Sequence, residues 1–378
     1  MDIRTKLVFA LVAVSLGSMF ALGSFTYLEA RELLRDNAVR QLQALAESKK
    51  QDLEKVSVGW RDRVALITTR RDLGANLAAA REGDAPDAER RAERILKDAV
   101  AAVPSLRGVA VFTPEGRKVA ATGVDPDPDA RVQPASFWMA DSPLVYENVN
   151  RDPDGGLVVT FVAPVRLDGT LVGAAKVVLS ARELLAVAEN FTGLGETGEV
   201  LLARRTEEGD ALILNPLRHD PDAMLTRVIS AESSSDPTVA AVKGLEAMWR
   251  RGARDYRGVA VLAASRHLKE FDWGLVVKVD VAEQLRPVME LRSTMWRLAL
   301  SLSAFAIVAG TVLGLYFARP IHELAEVASR IREGELDLRA KPRSEDEIGL
   351  LAETFNRMAA ALVEANRELE RKMRSGPP

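Results

Sequence analysis

The residues that could carry out chemistry in this sequence are few and lie far apart. The 378 residues contain no cysteine, and the three histidines are His219, His267 and His322. Without cysteine there is no disulfide, no thiolate nucleophile and no thiolate zinc site, and the histidines lack the close spacing of metal-ligand pairs. We therefore expect no metal site and no bound cofactor.

Two short motifs resemble catalytic ones but stand in the wrong context. Residues 193–198, Gly-Leu-Gly-Glu-Thr-Gly, have the glycine spacing of a dinucleotide-binding loop. That loop follows a strand and opens a helix, whereas a predicted helix precedes this motif and a predicted strand follows it, so we interpret it as a turn. His322 begins a His-Glu-Leu sequence like the phospho-accepting box of histidine kinases, but that box continues with a basic residue and proline, and this sequence continues Ala-Glu-Val. We predict no catalytic residue.

Two apolar segments divide the chain and place the rest on either side of a membrane. Residues 298–318 hold no charged residue over about 21 positions, the length that a helix needs to cross a bilayer. Residues 7–28 form the other apolar segment, after a basic head of residues 1–6. We predict transmembrane helices at 7–28 and 295–318. The first segment also matches a cleaved signal peptide, an alternative that stays open.

Residues 29–294, between these segments, change their hydrophobic period partway along. Apolar residues spaced three and four apart predict first a long helix that leaves the membrane and then a second helix over 88–103. From Leu106 onward, short apolar runs separated by turn residues predict strands. They fall into two consecutive series, about 104–191 and 192–280, which predict two α+β modules.

The second of these modules is predicted to mix strands with helices. Strands are expected at 199–203, 211–214, 256–264 and 273–279, and helices at 224–229 and 239–250. Residues 281–297 should then form a helix that leads back into the membrane.

The segment after residue 318 has the pattern of two short amphipathic helices. Apolar residues recur at spacings of three and four over 321–331 and again over 348–369, and Gly334 begins a non-helical connector. Pro320 suits the first turn of a helix, where its missing N–H costs nothing. One such pair of helices has too little surface for a core, so we predict a parallel four-helix bundle made by two chains.

This segment resembles a HAMP domain, the coupling module of bacterial receptors, over residues 319–371, with 372–378 as a tail. The resemblance rests on positions that we expect to couple the signal: Pro320, Gly334, Leu336, Glu347, Ile348, Phe355 and Met358. It implies that residues 1–6 and everything after Ala318 are cytoplasmic and that 29–294 lie outside. The chain is therefore expected to be a two-pass protein of the bacterial inner membrane.

The outer region resembles a double Cache domain, a tandem of PAS-like modules preceded by a long helix. The resemblance rests on that helix and on four motifs, at 167–173, 195–199, 255–258 and 273–276. It implies an α+β fold for the region. It also implies that the module at 104–191, the first module, is membrane-distal and binds the ligand, and that 192–280, the second module, is membrane-proximal.

The resemblance also points to ligand-binding residues in the first module. In Cache domains the strands of this module line the pocket, and the candidates here are Phe137, Trp138, Tyr146, Asn148, Thr160 and Phe161. An aromatic cage with a few polar groups can hold a small molecule; alternatively, these aromatic residues only complete a small core.

Relatives that bind amino acids have an arginine two residues before the tryptophan and an aspartate after the last strand. This sequence has Ser136 and either Leu179 or Ser180 there, so the ligand is not named.

Together these features predict a homodimeric transmembrane receptor of a two-component or chemotaxis system. It would sense a small molecule outside and relay the signal through HAMP to a cytoplasmic signalling partner or a fused output domain. The alternative is that the chain is the N-terminal sensor part of a membrane enzyme, a histidine kinase or a nucleotide cyclase.

The charged stretch 364–374 mixes acidic and basic residues as a solvated coiled-coil face does, so we expect no nucleic-acid partner.

Overall fold

The computed structural model of the chain describes residues 3–82, 85–124, 144–335, 337–341 and 346–374. The chain divides into two compact units. The sensor unit is Glu32–Arg286, and the other unit combines Met1–Arg31 with Pro287–Pro378. The sensor unit mixes helices and sheets, which confirms the predicted α+β class.

The chain begins with the long helix that the sequence predicted. Helix α1 covers Ile3–Thr68, and α2 (Arg71–Glu82) and α3 (Ala85–Ala102) follow it. Within the sensor unit, the buried apolar side chains of α1 recur at helical spacing: Leu42, Ala46, Leu53, Trp60, Val64 and Ile67. This stripe is the face of α1 that packs on the two modules.

The first module is a five-stranded antiparallel sheet in the order β2-β1-β5-β4-β3. Its strands are β1 (Leu106–Phe112), β2 (Lys118–Gly123), β3 (Val145–Arg151), β4 (Leu157–Leu167) and β5 (Thr170–Ser180). Strands β4 and β5 form a hairpin whose turn residues, Asp168 and Gly169, have φ angles of 46° and 85°, as a two-residue hairpin turn favours. Helix α4, Arg182–Glu189, closes the module.

The second module is a six-stranded sheet in the order β8-β7-β6-β11-β10-β9. Its strands are β6 (Glu199–Arg205), β7 (Ala211–Ile213), β8 (Val228–Ile229), β9 (Met248–Trp249), β10 (Val261–Leu268) and β11 (Trp273–Asp280). Helix α5, Pro237–Val242, lies between β8 and β9, and the carboxylate of Asp236 caps it by accepting from the amide of Thr238 at 2.8 Å.

Three sequence predictions in the second module are wrong. No helix forms at 224–229, because Val228 and Ile229 pair with β7 as an edge strand. The helix predicted at 239–250 ends at Val242, because Gly244 adopts a φ of 80° and the chain then forms β9. The strand predicted at 256–264 begins only at Val261, after a turn.

Each sheet has one face toward α1 and one away from it, which we call the inner and outer faces. The inner faces of both sheets share one hydrophobic core with α1, α2 and α3. The outer face of the second sheet has its own core, to which α5 contributes. On the outer face of the first sheet, the buried apolar cluster in the described part of the chain consists of Ala110 and Phe112. The polar groups of that face are therefore of interest.

The other unit contains the apolar helical stretches. Helix α6 covers Val281–Arg332, and both α6 and α1 are long and apolar enough to span a membrane. Large apolar side chains on these stretches, such as Phe20, Leu300 and Phe305, are exposed in the protein alone. A lipid environment would cover them.

The HAMP-like segment differs from the prediction at one end and matches it at the other. A new helix does not begin at Pro320, because α6 continues through it to Arg332; a proline in a helix removes one backbone hydrogen bond without always ending the helix. Gly334 ends α6 with a φ of 105°, and its N–H donates to the carbonyl of Ile331 at 3.2 Å. This is the left-handed cap for which glycine is favoured.

Helix α7, Glu347–Arg374, begins with a side-chain cap. The carboxylate of Asp346 accepts from the amides of Ile348 and Gly349 at 3.0 and 3.2 Å. Further along α7, the side chain of Asn356 bonds to both the N–H and the carbonyl of Ala340, at 2.8 and 2.7 Å. The connector is thereby fixed to the helix.

Candidate ligand-binding site

The predicted ligand-binding residues do not form one cage in the described part of the chain. Phe137 and Trp138 lie outside the described residues. The other four lie on β3 and β4, where Tyr146 pairs with Phe161 and Asn148 pairs with Thr160. Cross-strand partners share a face of the sheet, and adjacent residues of one strand face opposite sides. Tyr146 and Phe161 are therefore on the inner face, and Asn148 and Thr160 are on the outer face.

The inner-face pair belongs to an aromatic core. Trp60 of α1 packs edge-on against Phe161 and Phe271, with ring centroids 5.7 and 6.0 Å away. The ring centroids of Tyr146 and of Trp273, in the second module, are 5.8 Å apart. The indole N–H of Trp273 also donates to the Tyr146 hydroxyl at 3.4 Å. Burial raises the pKa of Tyr146. The cluster joins α1 to both modules, as expected if these aromatic residues complete a core.

The outer face of the first sheet carries a buried lysine that the sequence analysis missed. Lys176 is at the centre of the sheet, paired with Ala110 of β1 and Val162 of β4, and is 4% exposed. The one ion pair recorded for it in the described residues is with Glu147, 3.6 Å away. A buried ammonium with a single distant carboxylate is poorly compensated.

Thr160 lies on the same outer face. It is 1% exposed, and its hydroxyl has no hydrogen-bond partner among the described residues. Asn148 is exposed beside it and accepts a bond from the amide of Val149 at 2.8 Å. Lys176, Thr160 and Asn148 thus give this face a cation, a hydroxyl and an amide, the kinds of group that orient a small polar ligand.

The second module also carries a lysine on its outer face, but its own carboxylates neutralise it. Lys278 Nζ lies 2.7 Å from Glu199 Oε2, is bonded to Asp255 as well, and stands 4.6 Å from the ring centre of Tyr256. The hydroxyl of Tyr256 in turn donates to Glu199 at 3.1 Å. Burial, with the charge of Glu199, raises the pKa of Tyr256. The two modules therefore differ in how their buried lysine is neutralised: Lys278 contacts two buried carboxylates, whereas Lys176 pairs with the more distant Glu147.

The predicted HAMP positions lie on α6, at its end and on α7. Pro320 is inside α6 and Gly334 caps it, while Leu336 lies outside the described residues. The other four are on α7: Glu347, Ile348, Phe355 and Met358. Their role in coupling stays a prediction.

Two domain families match the sequence. A Cache domain model matches residues 30–288, which is most of the chain, and a HAMP domain model matches residues 312–364. Comparison with curated protein sequences finds no significant match.

Solved sensor domains are among the structures to which this chain is similar. The ligand-binding domain of the Campylobacter jejuni chemoreceptor Tlp3, crystallised with L-norvaline, is 12% identical, covers 66% of this chain and 94% of its own, with a TM-score of 0.47. The extracellular domain of the putative histidine kinase mmHK1S-Z3 is 15% identical, covering 68% and 98%, with a TM-score of 0.45. The ligand-binding domain of the Pseudomonas aeruginosa PAO1 amino acid chemoreceptor PctB, in complex with L-Arg, is 15% identical, covering 65% and 96%, with a TM-score of 0.42.

The chain belongs to the Cache domain family, and its Cache domain is followed by a HAMP domain. It is a transmembrane signal-transduction receptor, with a Cache sensor for a small molecule outside the membrane and a HAMP domain that relays the signal to a cytoplasmic output. This confirms the resemblance that the sequence motifs indicated. Neither matched domain is catalytic.

Proposed function

We propose that this receptor senses a small organic carboxylate on the outer face of the first module, with Lys176 as the charged anchor. The observation that supports this most is that the Lys176 ammonium is buried and, within the described part of the chain, forms one ion pair, with Glu147 at 3.6 Å. A ligand carboxylate at hydrogen-bond distance would neutralise it better than Glu147 does. The Thr160 hydroxyl, which has no hydrogen-bond partner among the residues that the structure describes, offers a further polar contact.

The same face can distinguish a plain carboxylate from an amino acid. Neither Leu179 nor Ser180 offers a carboxylate for an ammonium group: Leu179 is fully buried and apolar, and the Ser180 hydroxyl accepts from the amide of Arg182 at 3.3 Å. Glu147, with 36% of its side chain exposed, is the acidic residue that forms an ion pair with Lys176 in the described part of the chain. An α-amino acid would need Glu147 for its ammonium, whereas a plain carboxylate would not.

A binding screen on the full chain in detergent tests this proposal. The probes are simple carboxylates (acetate, propionate, lactate, succinate and benzoate) and the α-amino acids, each scored by the rise in melting temperature and then by calorimetry. We expect a carboxylate-bearing probe to bind and Lys176→Met to weaken it at least tenfold, while Lys118→Met, at an exposed position of the same sheet, leaves it unchanged. Glu147→Gln should weaken amino acids only. Binding that Lys176→Met leaves intact would contradict the assignment.

We also propose that the receptor is a homodimer in the bacterial inner membrane, with two spans and a cytoplasmic HAMP bundle. In support, α7 exposes a stripe of large apolar side chains that one chain leaves uncovered: Leu351, Met358 and Leu362. The output is a separate kinase or chemotaxis protein, or a domain fused after HAMP.

The absence of cysteine makes the dimer simple to test. In native membranes, Met358→Cys should form a disulfide between chains on mild oxidation, and Arg357→Cys, one residue away and rotated out of the stripe, should form much less. Equal cross-linking at both positions would argue against a packed bundle.

A further inference from the structure

The turn between the two modules binds a side chain of the helix that leaves the sensor. Residues 193–198 connect α4 to β6, and Glu283 stands in the first turn of α6. The amides of Glu196 and Thr197 donate to the two carboxylate oxygens of Glu283 at 2.9 and 2.8 Å. The Thr197 hydroxyl donates to the same carboxylate. Three donors from one short turn thus converge on a single carboxylate.

The glycines of the turn allow this close approach. Gly195 has a φ of 70°, and a methyl group on it would lie 2.1 Å from Glu283 Oε1. Consecutive backbone N–H groups in such a conformation form a concave anion site. The motif that resembles a dinucleotide loop therefore receives a carboxylate of the chain itself.

Other contacts fix the turn on both sides of the carboxylate. Arg218 donates to the carbonyl of Gly195 at 2.9 Å and also to the carbonyl of Glu196, and its guanidinium stands 4.3 Å from the ring centre of Phe191. Arg286, one turn along α6, pairs with the side chain of Glu196 at 3.2 Å. The turn is therefore held to its own module and to α6 together.

The charge of Glu283 suits this position. Burial alone would raise the pKa of Glu283, but the hydrogen bonds from Thr197 and from the amides of the turn more than offset this, and the pKa lies below its usual value. The carboxylate is ionised at neutral pH, and a negative charge is also favoured at the N-terminus of a helix.

The turn is joined to the first module through α4. Lys49 of α1 donates to the carbonyls of Val187 and Asn190, both at 2.8 Å, at the C-terminal end of α4. The chain runs from there directly into residues 193–198. A displacement of β5 or α4 would thus reach Glu283 through a few residues fixed by hydrogen bonds.

We propose that residues 193–198 and Glu283 form a carboxylate clamp through which the first module positions the start of α6. Glu283 is a positioning residue: it binds no ligand but ties the end of one module to the helix that leads to HAMP. The clamp can transmit a signal only if the two states of the sensor hold Glu283 differently. It does not depend on which molecule the first module binds.

Hydrogen–deuterium exchange on the full chain in detergent, read by mass spectrometry, tests the clamp. Glu283→Gln removes the charge and one acceptor, so exchange in peptides covering 193–198 and 281–290 should become at least about tenfold faster. Glu290→Gln, an exposed glutamate two turns along the same helix, is the matched control and should have no effect. Exchange of β5 in the same digest shows whether the sensor stays folded.

A second pair of variants tests the steric requirement. Gly195→Ala and Gly252→Ala both place a side chain at a positive φ, but only the first meets Glu283; around Gly252 there is open space. Gly195→Ala should accelerate exchange in 281–290, and Gly252→Ala should not.

If Glu283→Gln unfolds the sensor, Glu283→Asp, shorter by one methylene, takes its place. Exchange within twofold of the wild type in both Gly195→Ala and the Glu283 variant would overturn the clamp.

Its coupling role is tested by a double variant. Lys49→Met frees the end of α4 from α1, and through the clamp it should accelerate exchange in 281–290. In the Glu283→Gln background, Lys49→Met should cause no further increase in amide exchange in 281–290. Independent, additive effects of the two changes, or no effect of Lys49→Met on 281–290, would show that the first module does not act on α6 through Glu283.

Discussion

Replacing Lys278 with methionine should strongly destabilise the sensor unit, because two buried carboxylates share its positive charge. Nζ lies 2.7 Å from Glu199 and is bonded to Asp255, and the side chains of Lys278, Glu199 and Asp255 are 2%, 0% and 2% exposed. Methionine is apolar and of similar length, so the change removes the charge with little effect on packing.

The expected magnitude follows from removing the lysine that pairs with Glu199 and from leaving Asp255 with Arg257 as its counter-charge. Removing one partner of a buried ion pair costs about 3–5 kcal/mol. In a domain of this size each kcal/mol lowers the melting temperature by about 2–4 °C, so the loss should be about 6–20 °C. Adding Glu199→Gln and Asp255→Asn to Lys278→Met should recover most of it, because no buried charge is then unpaired.

Thermal unfolding of the full chain in detergent, followed by circular dichroism, measures this loss. Lys243→Met, at an exposed lysine of the same module, is the control. Burial alone would raise the pKa of Asp255, and the hydrogen bond and charge of Lys278, together with Arg257, hold it below its usual value. Without Lys278 the carboxyl protonates more readily, so the deficit should shrink as the pH is lowered. A change below about 3 °C, which corresponds to about 1 kcal/mol, would refute this reasoning.

Three further predictions concern the aromatic core, pH and HAMP. Trp60→Ala should cost about 3–5 kcal/mol in the same unfolding assay, and Trp60→Phe clearly less, because the ring stays and the buried indole N–H lacks a partner among the described residues. Stability should fall as the pH drops below about 5, because carboxyls whose pKa is lowered in the fold, such as Asp255 and Glu283, stabilise it only while ionised; Asp236, whose pKa burial raises, acts in the opposite direction. A pH-independent melting temperature from 7 to 4 would contradict this. Asp346→Ala should cost α7 about 1 kcal/mol and speed amide exchange in its first turn, with unchanged exchange as the contrary result.

The sequence predicted the elements whose hydrophobic period is long and regular. Helix α1 and the first-module strands follow such patterns. The strands of the second module were harder to predict from the sequence, because β8 and β9 have two residues each and depend on pairing with distant strands. Local propensity carries little information about edge pairs of that length.

The sequence did not predict how the candidate residues divide between the two faces of the first sheet, and the reason lies in β3. Tyr146 and Asn148, two residues apart, would normally share a face of β3. The register shifts between them, with Glu147 as the extra residue, so they face opposite sides. Lys176 was missed because the sequence of a single strand does not show whether a lysine side chain is buried. Its burial depends on the central place of β5 in the sheet, between β1 and β4.

The most direct test of this receptor is whether ligand binding on the first module changes the HAMP bundle. The carboxylate found in the screen would be added to membranes containing the Met358→Cys chain, and the extent of disulfide cross-linking would be measured. We predict that cross-linking changes with the same concentration dependence as binding, and that Lys176→Met removes the change. Saturated binding with no change in cross-linking at any position of α7 would contradict the account.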